Sequence, residues 1–230
     1  MLLVLTGLVF AFAPDIDLAA ARLFLKDGVF SGVTPVGEIL RTIGYQAPFW
    51  LLGAAASGWA LRRLGVFRLP APSSRALLFL VLTLATGPGL LVNVALKNHS
   101  HRPRPVQTLE LGGKWDFRPW YRFDGQCDRN CSFVSGEASS AFWTLAPALL
   151  APPHVRALTV VGALVFGTSV AALRMAFGGH YLSDSLISAL LTIVLVLGFH
   201  WLFFGRKRAA ARAPEPTKPD PDLRRPGAAL

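Results

Sequence analysis

The sequence predicts an all-α, polytopic membrane protein built as a bundle of six transmembrane helices. Two observations predict this class. The 230-residue chain is 53% apolar and only 16% charged, whereas about a quarter of a typical soluble domain is charged. The charged residues also gather between long uncharged stretches, and a bilayer core of about 30 Å needs roughly 20 apolar residues in a helix.

Six uncharged stretches follow one another along the chain as candidate spans. The run 138–153 is the weakest, because Pro147 interrupts it. No basic residue precedes the N-terminal run 1–13, so we interpret it as an anchoring helix and not as a signal peptide. The other predicted spans are residues 42–61, 76–96, 157–173 and 185–204.

We expect residues 1–204 to form one membrane domain without internal repeats. Residues 205–230 are rich in Ala, Pro and charge and are predicted to be a disordered cytoplasmic tail. The net charge of +10 does not indicate a nucleic-acid partner. The basic residues lie between the spans, where they set topology or meet phosphate and anionic headgroups of the lipid bilayer.

The loops 97–137 and 174–184 lie on one side of the membrane if all six helices span it. When the cations of the motifs described below are set aside, Lys and Arg are more numerous on the other side, which is then cytoplasmic. Cys127 and Cys131 lie in the first loop. They form either a disulfide, which needs an oxidising compartment, or two free thiols, since a zinc site needs more ligands. Both loops are therefore expected to face the periplasm or the cell exterior.

The first chemical motif directly follows the third predicted span. Lys97, Arg102 and Arg104 supply three permanent cations, and His99 and His101 supply two imidazoles. The arginine fork matches phosphate oxygens, while lysine acts as a point charge. The motif is therefore either a phosphate site or a basic girdle at the membrane boundary.

The second motif, Ser135, Gly136 and Glu137, leads into the fourth predicted span. A Ser-Gly pair before a helix exposes backbone N–H groups at the positive end of the helix dipole, which favours anion binding. An ordinary helix start with Ser135 as N-cap is the alternative interpretation.

The third motif joins Arg174, His180 and Asp184 between the last two predicted spans. Asp184 shares a face with His180 if the helix begins near the histidine. A carboxylate beside an imidazole fixes its tautomer, and the remaining neutral nitrogen is then a nucleophile. A capped helix start with a structural histidine is the alternative. Together the three motifs supply the cations, nucleophile and second carboxylate that phosphoryl transfer uses. No carboxylate cluster indicates a metal or other cofactor.

These motifs resemble the type-2 phosphatidic acid phosphatase superfamily, the lipid phosphate phosphatases. The resemblance implies a six-helix membrane bundle and a metal-independent phosphomonoesterase, with His180 as the nucleophile that forms phosphohistidine and Asp184 as its orienting carboxylate. It assigns phosphate binding to Lys97, Arg104, Ser135, Gly136 and Arg174.

The chain departs from the family pattern at three positions. Val134 and Leu173 replace a motif proline and serine, and Glu137 replaces the histidine that protonates the leaving group. Glu137 can take that role if burial raises its pKa, although nearby cations act in the opposite direction. His99 and His101 are the alternative acids.

The stretch 110–137 looks like a bacterial subgroup similar to lipid A phosphatases, particularly those of the 4′ type. Its aromatic rings alternate with cations, which suits a large anionic headgroup at the membrane surface. The expected partner is therefore a phosphorylated lipid in the bacterial inner (plasma) membrane, with the active site facing the periplasm. Alternatives are undecaprenyl diphosphate or phosphatidylglycerophosphate as substrate, lipid-to-lipid phosphotransfer, and lipid binding without catalysis.

Overall fold

The computed structural model describes residues 1–66, 71–97 and 99–205, and the predicted disordered tail lies outside the described residues apart from its first residue. Eight α-helices account for most of this part of the chain. They are α1 (Leu2–Phe12), α2 (Asp15–Arg22), α3 (Pro35–Arg63), α4 (Ser74–Leu84), α5 (Gly136–Phe142), α6 (Leu145–Leu149), α7 (Pro153–Ala176) and α8 (Leu182–His200).

Shorter elements complete the described chain. Two antiparallel strands of two residues each form a hairpin that the sequence did not predict: β1 (Leu25–Lys26) and β2 (Val29–Phe30). Two 3₁₀ turns lie in the long loop, at Pro105–Gln107 and Leu109–Leu111, and α8 ends in a wide turn at Trp201–Gly205.

Three of the described helices are long and apolar enough to cross a membrane: Ser74–Leu96, Pro153–Ala176 and Leu182–Gly205. The pair α1 and α2 makes a fourth candidate if it is one span, broken by an 88° bend. Pro14 lies at the bend, and the first turn of α2 carries Asp15 and Asp17. The mostly helical membrane architecture is therefore confirmed, whereas the count of six spans is not.

The predicted span 138–153 is wrong as a single helix. It is divided between α5 and α6, which have seven and five residues. Both short helices lie inside the molecule, where Trp143 is fully buried and its Nε1 donates to Thr83 Oγ1 at 2.9 Å. The break lies one turn before Pro147, which cannot donate the helical hydrogen bond to the Trp143 carbonyl. A second buried hydrogen bond, 2.7 Å between Ser139 and Thr192, connects α5 with α8.

The segment Ala85–Leu96 continues α4 as a π-helix and delivers Lys97 to the end of the span. Pro88 lies inside it, and a proline cannot donate the helical hydrogen bond. Asn93 Nδ2 donates to the Pro88 carbonyl at 2.7 Å. Wide turns of this kind are common near functional sites, and this one places Asn93 against Gly136 at the start of α5.

Candidate active site

The active-site candidate forms where the end of the π-helix, the start of α5, the end of α7 and the start of α8 meet. His180 is buried, with 2% of its surface exposed. Burial and the neighbouring charges of Arg174, Lys97 and Arg104 lower its pKa well below the usual value near 6.5. The structure therefore brings the first motif and the third motif together, although Lys97 and Arg174 are 77 residues apart in the chain.

The tautomer of His180 is set by a backbone carbonyl. Nδ1 lies 2.7 Å from the carbonyl oxygen of Ser132, which can only accept, so Nδ1 carries the hydrogen and donates. With the pKa lowered, the ring is neutral at physiological pH and Nε2 keeps its lone pair. Nε2 is thus the nitrogen available as a nucleophile.

Asp184 lies near His180, as the spacing predicted, but does not form a hydrogen bond with it. Asp184 Oδ2 lies 3.9 Å from Nδ1. It instead accepts from Ser132 Oγ at 2.5 Å and from Tyr181 N at 2.9 Å. The reason is that α8 begins at Leu182, so the carboxylate caps the first turn. Ser132 therefore connects Asp184 with His180, a contact that the sequence did not predict.

Arg102 lies in a buried charge cluster and not among the phosphate-binding candidates. Its side chain is fully buried and pairs with both Asp184 and Asp17, the latter at 2.7 Å. It also donates to Ser183 Oγ at 2.9 Å, and its guanidinium carbon lies 4.2 Å from the centre of the Tyr181 ring. Asp17 in turn accepts from Ser183 N at 2.8 Å. These contacts tie α2 and the long loop to the start of α8.

Lys97 and Arg104 remain as candidate phosphate ligands. Burial, followed by the charge of Arg104, lowers the pKa of Lys97 to about 8, so its ammonium is mostly charged at neutral pH. Burial also lowers the pKa of Arg104, whose Nη2 donates to the Asn130 carbonyl at 2.7 Å. Within the described residues, no carboxylate lies in ion-pair range of either cation, which leaves both charges available to an anion.

Arg174 approaches the same site from the last turn of α7 and is 3% exposed. Its guanidinium lies against Gly179, where a Cβ would collide with it. Gly178, at φ 61°, ends α7 in a left-handed conformation that favours glycine. The two glycines therefore let the chain turn sharply between Arg174 and His180.

Glu137 lies between two arginines. Its Oε1 accepts from Arg41 Nη2 at 3.1 Å and forms an ion pair with Arg174 Nε at 3.3 Å. The carboxylate is therefore held in ion pairs by both cations. Arg41 comes from α3, and nothing in its local sequence indicated this contact.

The remaining candidates have structural partners. Ser135 caps α5 by accepting from Ala138 N at 3.3 Å. Asn93 Oδ1 lies against Gly136, at the place that a Cβ would occupy. His99 Nδ1 donates to the Ala95 carbonyl at 2.8 Å, and His101 Nδ1 lies 2.9 Å from the Cys127 carbonyl. Cys127 and Cys131 form a disulfide.

Glu137→Gln is expected to slow hydrolysis about tenfold. The factor should be the same for aryl and for alkyl phosphates. The substitution keeps an oxygen for Arg41 and Arg174 but replaces charge-assisted hydrogen bonds by weaker neutral ones. The measurement is kcat for both esters in the wild type and the variant, with His99→Ala and His101→Ala in parallel. A loss confined to the poorer leaving group would assign the general-acid role to Glu137 after all.

A buried histidine among three cations, at the ends of apolar helices, is the arrangement expected of a membrane phosphatase. In agreement with the resemblance noted above, the chain belongs to the PAP2 superfamily, whose family model matches residues 76–208.

Three curated relatives share the printed name lipid A 4′-phosphatase. The Rhizobium leguminosarum protein is 33% identical over 81% of this chain and 87% of its own length. The Rhizobium etli protein is 35% identical over 81% of this chain and 79% of its own length. The Francisella tularensis subsp. novicida protein is 36% identical over 58% of this chain, and that match spans 60% of the relative. No solved structure gives a significant match.

Proposed function

We propose that this protein is a membrane lipid phosphatase that removes a phosphate monoester from lipid A through a phosphohistidine at His180. The observation that carries the proposal is the neutral, oriented imidazole of His180 beside Lys97, Arg104 and Arg174. The names of the relatives support lipid A as the substrate.

The reaction proceeds in two displacements. Lys97, Arg104 and Arg174 bind the phosphoryl oxygens and stabilise their charge. Nε2 of His180 forms a bond to phosphorus as the bond to the lipid oxygen breaks, and that oxygen takes a proton from solvent water as it leaves. Water then cleaves the N–P bond, which releases phosphate and restores the neutral imidazole. Asp184, acting through Ser132, holds the ring in position while its charge changes.

An apolar cavity next to the site supports a lipid substrate. A cavity of about 280 Å³ is lined by Arg41, Thr42, Tyr45 and Glu137. Thr42 also lines a larger cavity of about 950 Å³, so the two cavities adjoin. The larger cavity lies between α3, α6 and α7, where Trp50 and Phe166 contribute to an almost wholly apolar lining. A lipid with its phosphate at His180 can thus place an acyl chain between these helices.

We place the protein in the bacterial inner (plasma) membrane, with the active site facing the periplasm. The distribution of Lys and Arg between the predicted loops supports this orientation. The Cys127–Cys131 disulfide lies in the same loop as Lys97 and Arg104 and is consistent with an oxidising compartment on that side.

The purified protein in detergent micelles is expected to release inorganic phosphate from lipid A, at the same rate with and without EDTA. The described residues contain no group of three or more His, Cys, Asp or Glu side chains arranged to hold a metal. The assay compares lipid A with undecaprenyl diphosphate, phosphatidylglycerophosphate and phosphatidic acid. Transfer to a second lipid without release would assign a phosphotransferase, and neither release nor transfer would contradict the enzyme proposal.

A further inference from the structure

A second, polar cavity of about 580 Å³ adjoins the phosphate site. Its volume lies within the range of about 300 to 1,000 Å³ that is usual for small-molecule pockets. In contrast to the apolar cavity, its lining consists of polar and charged side chains alone: Asn93, Lys97, Asp128, Arg129 and Asn130. Lys97 belongs to both sites, so a group in this cavity shares a cation with a phosphate bound at His180.

One wall of this cavity is a loop that the phosphate motif itself holds in place. The Cys127–Cys131 disulfide closes the loop. Arg104 donates to the Asn130 carbonyl at 2.7 Å, and Cys127 N donates to the His101 carbonyl at 3.2 Å. The loop is therefore preorganised beside the cations, which reduces the entropy lost on binding.

The side chains of the cavity suit a neutral group rich in hydroxyls. Asp128 accepts hydrogen bonds, Arg129 donates them, and the Asn130 amide does both. In the part of the chain that the structure describes, neither Asp128 nor Arg129 forms an ion pair with another side chain. A second phosphate would be repelled by the Asp128 carboxylate, whereas each sugar hydroxyl offers both a donor and an acceptor.

We propose that this cavity binds the sugar ring that carries the scissile phosphate. The proposal rests on the proposed function and deepens it: the enzyme recognises a phosphorylated sugar headgroup, with Asp128 and Arg129 as specificity-determining residues. The acyl chains and the sugar then occupy different cavities on either side of the phosphate.

A binding experiment tests the sugar site without requiring turnover. The His180→Ala protein is titrated with glucosamine 4-phosphate and with inorganic phosphate by calorimetry. We expect the sugar phosphate to bind at least about tenfold more tightly, and Arg129→Ala or Asp128→Asn to remove most of that advantage. Arg122→Ala is the matched control, because Arg122 pairs with Asp124 in the same loop without lining the cavity.

Equal affinity for the two probes, or an advantage that survives both cavity substitutions, would overturn the sugar site. The ratio of kcat/KM for lipid A to that for phosphatidic acid gives a second readout, which Arg129→Ala should lower about tenfold and Arg122→Ala should not change. If no lipid is hydrolysed, the proposed function fails, while the two binding affinities still decide whether the cavity recognises a sugar.

Discussion

His180→Ala is expected to lower phosphate release from lipid A by at least about 10⁴-fold. Removing a nucleophile on which the other groups act as a unit typically costs this much or more. No second imidazole can replace it from its present position, since His99 and His101 bond to backbone carbonyls outside the cationic cluster. The measurement is initial-rate phosphate release by purified protein in detergent micelles.

Two controls separate this effect from misfolding. His180→Gln fills most of the same buried volume and should be equally inactive. His99→Ala removes an exposed imidazole and should keep kcat within about twofold of the wild type, because its Nδ1 bonds only to the Ala95 carbonyl. Substantial phosphatase activity in folded, monodisperse His180→Ala protein would contradict the role of His180.

Arg102→Ala is expected to lower stability by about 3 to 5 kcal/mol, which corresponds to a fall in Tm of roughly 10 °C. The substitution leaves Asp17 and Asp184, both at most 1% exposed, without their shared cation in the interior. Arg102→Lys should recover part of the loss, because an ammonium supplies the charge but not the fork that reaches both carboxylates. Thermal unfolding in detergent, followed by circular dichroism, measures these differences.

Arg122→Ala is the control for this series, since Arg122 forms an exposed pair with Asp124 and should leave Tm unchanged. The Tm of Asp17→Asn should lie between those of Arg102→Ala and Arg122→Ala, because this substitution removes one buried charge and keeps most of the hydrogen bonds. A wild-type Tm for Arg102→Ala would show that the buried cluster does not hold α2 and α8 together.

Apolar runs predicted the helices well where the run was continuous. The run 157–173 lies within α7, and the run 185–204 covers most of α8 and continues into the wide turn Trp201–Gly205 that ends it. The run 138–153 failed for two reasons. Pro147 limits helix length there, and the buried hydrogen bonds of Ser139 and Trp143 suit short helices in the protein interior, which hydropathy does not distinguish from a span.

In the site, too, contacts between residues close in the chain were predictable, and contacts between residues far apart in the chain were not. Spacing in the chain predicted that His180 and Asp184 lie near one another, but the intervening Ser132 is 48 residues away from His180. Asp17 and Arg41 reach their partners across 85 and 96 residues. Their own surroundings in the chain, an amphipathic helix and the first turns of α3, gave no sign of these contacts.

Trapping the phosphohistidine intermediate shows whether the phosphoryl group passes through His180. Wild-type protein is mixed with lipid A carrying a radiolabelled phosphate, quenched with alkali within a few turnovers, and digested for mass spectrometry. We expect an acid-labile phosphoryl group on the peptide that contains His180, at the same level in EDTA and absent from His180→Ala. Label on any other residue, or product formed in that time without label on the protein, would contradict it.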